Sequence, residues 1–197
     1  IGAATTERIQ FQAANSNRLN SMTENGAALR SYTYDNAGNT LTETRPGESF
    51  AYSYNKRNRL ASVTRNGASY ASYIYNALEQ LTSRTTSAAG APLGTVHYIY
   101  DLHGHLIAEA NAATGVITRD YIWLASNDND PIDLPLAIAE TATLTMVHAD
   151  HLGRPTRMTD ATKATVWQAT WKPWGEIHQL SGTLTQNLRF PGQYYQI

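Results

Sequence analysis

The fold is decided by a ten-residue stretch, Tyr32-Thr33-Tyr34-Asp35-Asn36-Ala37-Gly38-Asn39-Thr40-Leu41, because its pattern recurs along the chain. Further copies begin at Tyr52, Tyr73 and Tyr98, and a degenerate copy reads Tyr121-x-Trp123. Serial copies at short, similar spacing indicate a repeat architecture, in which each copy is one small structural unit. The aromatic residues of these copies are Tyr32, Tyr34, Tyr52, Tyr54, Tyr73, Tyr75, Tyr98, Tyr100, Tyr121 and Trp123.

Each copy predicts a β-hairpin. Two tyrosines at positions i and i+2 project from the same face of a strand, so we expect them to form an aromatic ladder. Asp35 can hydrogen-bond the backbone two residues on, and Gly38 accepts a positive φ, which together are typical of a type I turn closed by a left-handed residue. The expected turn formers are Asp35, Gly38, Asn55, Asn58, Asn76, Asp101, Gly104, Asp150 and Gly153.

The third copy departs from this turn pattern. Glu79 occupies the place of Gly38, so we expect strain of about 1 kcal/mol there or a different loop. Between the copies lie further turn signals such as Asn25-Gly26 and Asn66-Gly67. The fold class that follows is all-β, with serial antiparallel β-hairpins forming a curved sheet.

The residue between the paired aromatic residues changes along the chain. It is polar in the early copies and isoleucine in the later ones, in the order Thr33, Ser53, Ile74, Ile99 and Ile122. This trend predicts that the second face of the sheet is exposed to solvent in the early copies and covered in the later ones, either by the segment after Trp123 or by missing chain.

Composition excludes several classes of protein. The 197 residues carry 15 Lys and Arg against 16 Asp and Glu, which does not favour a nucleic-acid partner. There is no cysteine, so disulfides and thiolate metal sites are excluded. The longest apolar run, residues 134–139, is far shorter than the roughly 20 residues of a membrane-spanning helix, so no membrane span is expected. The opening at Ile1 suggests a piece of a longer protein.

The ordered series of copies resembles the YD repeats of the Rhs (rearrangement hotspot) family. The later sequence is similar to the end of the bacterial Rhs core. The segments that carry this likeness are Leu134-Pro135-Leu136-Ala137, His148-Ala149-Asp150-His151-Leu152-Gly153-Arg154-Pro155, Thr159-Asp160-Ala161, Val166-Trp167, Pro173-Trp174-Gly175 and Asn187-Leu188-Arg189-Phe190-Pro191-Gly192-Gln193-Tyr194-Tyr195. The resemblance spans nearly the whole chain.

The resemblance implies a strip of a large hollow β-shell. Such shells enclose a toxic C-terminal domain, and related ones occur in insecticidal toxin complexes and teneurins. We expect YD-repeat hairpins in residues 1–125 and a truncated core segment continuing the same sheet in residues 126–197. The implied partners are the rest of the shell and the enclosed toxin. The implied location is export or display at the cell surface after synthesis in the bacterial cytoplasm. The self-cleavage signature of the family is expected downstream of this sequence.

Candidate chemistry is weak by comparison. His148-x-Asp150-His151 contains metal-ligand types, but Asp150-x-x-Gly153 repeats the hairpin-turn spacing. His97, His103 and His105 surround one hairpin without converging. Residues 128–133 carry oxygen ligands but lack the glycine of a calcium loop. Residues 56–59 are more typical of a solvated loop than of a nucleic-acid surface. We therefore predict no catalytic residue, no metal and no cofactor.

Three tryptophans leave an alternative open. Trp167, Trp171 and Trp174 either form a platform for carbohydrate or lie in the core, as the period-two spacing favours. The structural shell is the leading hypothesis, and an extracellular module that binds carbohydrate or a cell surface is the alternative. A self-cleaving peptidase is the third. Unpaired sheet edges also predict self-association of the isolated piece.

Overall fold

A computed structural model describes residues 7–87, 93–124, 134–171, 177–190 and 193–194. Within these ranges the regular secondary structure consists of β-strands, and there is no helix. The predicted all-β class and the serial antiparallel hairpins are confirmed. In the described part of the chain, no helix has the length and the apolar character that crossing a membrane requires.

The chain forms two compact units, Ile1–Gly94 and Thr95–Ile197. The boundary expected between residues 125 and 126 stays a prediction. In the first unit each strand pairs antiparallel with the next along the chain. Its strands are β1 (Arg8–Gln12), β2 (Leu19–Glu24), β3 (Ala27–Tyr34), β4 (Thr40–Arg45), β5 (Glu48–Tyr54), β6 (Leu60–Arg65), β7 (Ala68–Tyr75) and β8 (Leu81–Thr86).

The second unit continues the same pattern of neighbouring antiparallel strands. Its strands are β9 (Gly94–Tyr100), β10 (Leu106–Asn111), β11 (Ile117–Trp123), β12 (Pro135–Glu140), β13 (Thr143–Ala149), β14 (Pro155–Thr159), β15 (Thr165–Trp171) and β16 (Ile177–Gly182). A separate small hairpin is formed by β17 (Leu188–Phe190) and β18 (Gln193–Tyr194), and β17 contacts β14.

The turns within the copies share one geometry. The first residue accepts a hydrogen bond at its carbonyl oxygen from the fourth residue, whose φ is positive. In the first of these turns, Asp35 Oδ1 also accepts a hydrogen bond from the backbone N–H of Asn39 at 2.8 Å. The fourth residues and their φ angles are Gly38 (94°), Asn58 (58°), Glu79 (66°), Gly104 (91°) and Gly153 (75°).

Glu79 keeps this turn rather than adopting a different loop. Its φ of 66° is left-handed, and its carboxylate forms ion pairs with Arg57 and Arg59 of the preceding hairpin. These two ion pairs offset the backbone strain that a non-glycine residue has in the left-handed region of φ. They also hold the pKa of Glu79 below its ordinary value.

A further turn of the same kind lies at residues 160–163, and Lys163 adopts φ 67° at its fourth position. We expect Lys163→Gly to stabilise the protein by up to about 1 kcal/mol, because glycine removes the left-handed strain while losing some backbone entropy. Thermal unfolding measures the effect. Ala161→Gly in the same turn is the control and should destabilise slightly, since residue 161 has no positive φ to relieve. Equal shifts for both variants would contradict the assigned strain.

The second face of the sheet is not covered as predicted. Ile74, Ile99 and Ile122 are all exposed, and Ile74 leaves 63% of its surface in solvent. Within the described residues the later copies are therefore not covered on this face, and packing there against missing chain stays a prediction. Isoleucine favours strands through its β-branched side chain even where nothing covers it, so its presence here does not indicate burial.

The core of the second unit lies on the tyrosine face. Its buried apolar side chains include Tyr98, Tyr121, Ile138, Met158, Trp167 and Leu188. Leu188 belongs to β17, so the C-terminal hairpin contributes to this core. In the first unit most tyrosines of the copies are only half-buried.

Candidate functional site

Within each unit, the tyrosines of the copies lie on one face of the sheet, which we call the tyrosine face of that unit. Cross-strand register decides their neighbours, because directly opposite side chains are close enough to interact. The first tyrosines Tyr32, Tyr52, Tyr73 and Tyr98 lie opposite Glu43, Val63, Arg84 and Glu109. The second tyrosines Tyr34, Tyr54, Tyr75 and Tyr100 lie opposite Thr40, Leu60, Leu81 and Leu106.

The second aromatic residue of several copies ties its hairpin to an earlier strand. Its hydroxyl or indole N–H donates a hydrogen bond to the main-chain carbonyl of the first residue of the preceding strand. These bonds join Tyr34 to Leu19 at 2.6 Å, Tyr54 to Thr40 at 2.9 Å, Trp123 to Leu106 at 2.9 Å and Trp171 to Pro155 at 3.1 Å. In the later part of the chain, Trp123 and Trp171 therefore make the hydrogen bond that the second tyrosine makes in the earlier copies.

Ring contacts add to these bonds. Tyr32 stacks on Tyr34 within one strand, with centroids 6.5 Å apart. Phe50 meets Tyr70 edge to face at 6.4 Å across two strands. The aromatic contacts thus join rings within one strand and rings on strands that are separated by one strand.

Glu43 forms the centre of a polar cluster in the first unit. Its buried carboxylate accepts hydrogen bonds from Arg30 at 3.0 Å, Arg45 at 2.7 Å and the hydroxyl of Tyr52 at 3.1 Å. Burial acts to raise the pKa of Glu43, but the bonds from Arg45 and Tyr52 outweigh it and hold the pKa below its ordinary value. Burial, and then the Glu43 charge, raises the pKa of Tyr52 to about 12.

Glu109 occupies the corresponding place in the second unit, but its partners differ. Its Oε1 accepts a hydrogen bond from the hydroxyl of Tyr121 and another, at 3.0 Å, from that of Tyr194. Arg119 approaches the same oxygen only to 3.7 Å, because its guanidinium is bonded to Glu140, with Nε 2.6 Å from Oε1. Burial, and then the Glu109 charge, raises the pKa of both Tyr121 and Tyr194.

A third cluster lies at the end of the fourth copy. His105 Nδ1 is 2.9 Å from a carboxylate oxygen of Asp101, and its ring stacks on Trp123 with centroids 4.7 Å apart. A cavity of about 360 Å³ opens beside it, with His103 and Ile107 also in its lining. Arg154 has the same relation to Asp150 and to the ring of Trp171, so the arrangement recurs as a structural device.

Trp167 and Trp171, which were predicted as part of a possible carbohydrate platform, differ in how deeply they are buried. Trp167 is 1% exposed, so its ring offers no face to an external ligand. Trp171 is half-buried, its N–H is bonded to Pro155, and Arg154 lies 5.4 Å above its ring. Trp174 lies outside the described residues.

The other candidates lie apart from one another. Asp150 closes a turn with Gly153, and His148 Nε2 lies 2.9 Å from the hydroxyl of Thr159. Over the described ranges, no three His, Asp or Glu side chains are grouped so that they could hold a metal ion. The acidic loop at residues 128–133 falls outside those ranges.

Sequence reasoning missed Glu43, Glu109, Arg119 and Tyr194. A signal was available for the two glutamates, since each lies at the same offset after the first tyrosine of its copy. No such signal marks Arg119 or Tyr194, because Arg119 bonds to Glu140, 21 positions away, and Tyr194 bonds to Glu109, 85 positions away. Chemically, these clusters hold strands and segments together through buried hydrogen-bonded charge.

The comparison with protein-family models agrees with the resemblance found in the later sequence. The family model described as RHS protein matches residues 147–180, which confirms the recognition of the Rhs family. No curated protein matches the sequence. The chain is similar to the crystal structure of TcdB2-TccC3-TEV, with 16% identity over 93% of this chain and a TM-score of 0.48. It is also similar to the Tc holotoxin pore of Photorhabdus luminescens with a mutated TccC3, with 10% identity over 96% of this chain and a TM-score of 0.35. The chain spans 12% and 16% of the lengths of those two chains.

Proposed function

We propose that this chain is part of the wall of an Rhs-type shell that encloses a C-terminal toxin domain, and that its role is structural rather than catalytic. The observation that carries the proposal is the series of consecutive antiparallel hairpins that ends in the segment matched by the RHS model, residues 147–180. The partners in this role are the remaining shell and the enclosed domain, and the assembly is exported or displayed at the cell surface.

The wall acts by steric exclusion. A sheet of consecutive hairpins grows by adding one short unit at a time, and the right-handed twist of strands lets such a sheet curve around a volume. Hydrogen bonds from Tyr34, Tyr54 and Trp123 to earlier strands resist separation of adjacent hairpins. Strand β1 is the first strand in the order of the described sheet, so its outer edge would pair with preceding shell strands. Self-association of the isolated piece through this edge stays a prediction.

Protease protection of the longer protein that contains this sequence tests the proposal. The domain downstream is expected to resist a protease while the wall is intact, and to become sensitive when Trp167→Ala opens the core of the second unit. Leu102→Ala is the matched control, since Leu102 is fully exposed at a turn and its loss should leave protection unchanged. Rapid digestion of the downstream domain inside the unaltered protein would refute an enclosing role.

The carbohydrate-binding alternative depends on the three tryptophans. The burial of Trp167 removes one of the rings on which a sugar could stack. Trp171 already has its N–H bonded and one ring face near Arg154. The enclosing role is therefore the better supported of the two.

A further inference from the structure

The C-terminal segment, defined as β17 and β18 with the preceding Gln186 and Asn187, lies on the tyrosine face of the second unit. Gln186 and Leu188 are buried there, and Tyr194 meets Tyr98 edge to face with centroids 5.1 Å apart. Its two strands are short, and they pair with each other over only two register positions. Its position must therefore be fixed by side-chain contacts with the sheet.

The polar contacts of this segment converge on one carboxylate. Tyr194 donates its hydroxyl proton to Glu109 Oε1 at 3.0 Å, and Asn187 Nδ2 donates to the Tyr194 hydroxyl oxygen at 2.8 Å. Tyr121 donates to the same Glu109 oxygen from the sheet itself. One buried oxygen thus connects the sheet to the segment.

The two equivalent glutamates show why this happens only at Glu109. The charge of Glu43 is balanced by direct hydrogen bonds from Arg30 and Arg45, beside the one from the Tyr52 hydroxyl. At Glu109 the nearby cation, Arg119, is bonded to Glu140, and its closest approach to Glu109 is 3.7 Å. A buried carboxylate without a directly bonded cation needs other donors, and two tyrosine hydroxyls supply them.

We propose that Glu109 is a positioning residue that latches the C-terminal segment onto the tyrosine face through the hydroxyl of Tyr194. The latch is a property of this chain and stands whether or not a shell encloses a toxin. In the shell proposed above, and resting on that proposal, the latch holds Tyr194 against the tyrosine face of the wall.

Hydrogen exchange on the full chain, followed by mass spectrometry, tests the latch. Glu109→Gln keeps the shape of the side chain but removes its charge, and Tyr194→Phe removes the hydroxyl alone. We expect amides of residues 186–190 and 193–194 to exchange about tenfold faster in each variant, because a charge-assisted hydrogen bond is lost or weakened. Strands β3 to β6 should exchange at the original rate.

Two controls separate a latch from general destabilisation. Glu43→Gln alters the equivalent carboxylate but should leave exchange in the C-terminal segment unchanged. The double variant of Glu109→Gln and Tyr194→Phe should exchange no faster than the faster single variant, because both remove the same interaction. If Glu109→Gln unfolds the second unit, the latch is judged from Tyr194→Phe alone, by whether the amides of the C-terminal segment exchange faster. Unchanged exchange in Tyr194→Phe, additive effects in the double variant, or an equal response to Glu43→Gln would overturn the latch while leaving the enclosing role untouched.

Discussion

Gly182→Ala is expected to detach β16 from β15 and to destabilise the protein by about 3 kcal/mol or more. A Cβ at residue 182 would overlap the carbonyl oxygen of Val166 and lie 2.7 Å from the Cα of Trp167. These are backbone atoms that cannot rotate away, and the φ of 108° at Gly182 is itself rarely adopted by other residues. Thermal or urea unfolding of the full chain measures the loss.

Gly94→Ala is a matched control for this substitution. Gly94 has φ 107°, almost the same as Gly182, but a Cβ there meets no atom within 4 Å. Its replacement should cost only the backbone strain, about 1–2 kcal/mol. The difference between the two losses in free energy of unfolding measures the steric cost of a Cβ at residue 182. Equal losses would show that the close approach of residue 182 to Val166 does not exist.

Trp167→Ala is expected to cost about 3–5 kcal/mol, the range for removing a large buried aromatic side chain. Trp167 is 1% exposed, lies opposite Met158 in the register of β14 and β15, and has the guanidinium of Arg189 5.8 Å from its ring centre. Chemical unfolding monitored by circular dichroism gives the loss directly.

Leu180→Ala is the control for Trp167→Ala. Leu180 lies on the neighbouring strand β16 with more than half of its surface exposed, so its removal should cost less than about 1 kcal/mol. A loss of similar size in both variants would mean that the tyrosine face of the second unit is not a packed core. A small loss for Trp167→Ala would reopen the platform interpretation of its ring.

The hairpins were predictable because their information is local. Asp35 and Gly38 determine a turn within four residues, and paired tyrosines indicate a strand through the period of two. At Glu79 the local pattern left two outcomes open, a strained turn or a different loop, and the ion pairs with Arg57 and Arg59 accompany the strained turn. At Ile74 and Ile122 the pattern does not decide burial, because a β-branched residue suits a strand whether it is covered or not.

The polar clusters were not predictable because they are set by contacts across the sheet. Glu43 and Glu109 have the same offset in their copies, yet one is balanced by arginines and the other by tyrosine hydroxyls. That difference depends on where Arg119 and Tyr194 lie in space. Likewise, the crowding around Gly182 comes from the strand opposite it and leaves no trace in the neighbouring sequence.

The most direct test of the account is a cryo-electron microscopy reconstruction of the longer protein that contains this sequence. We predict that the hairpins of residues 7–87, 93–124 and 134–171 lie in the wall of a closed shell, with Tyr32, Tyr54 and Tyr121 facing the interior where the downstream domain is held. A shell whose tyrosines face bulk solvent, or hairpins packed as a separate domain beside an unenclosed C-terminal region, would contradict it.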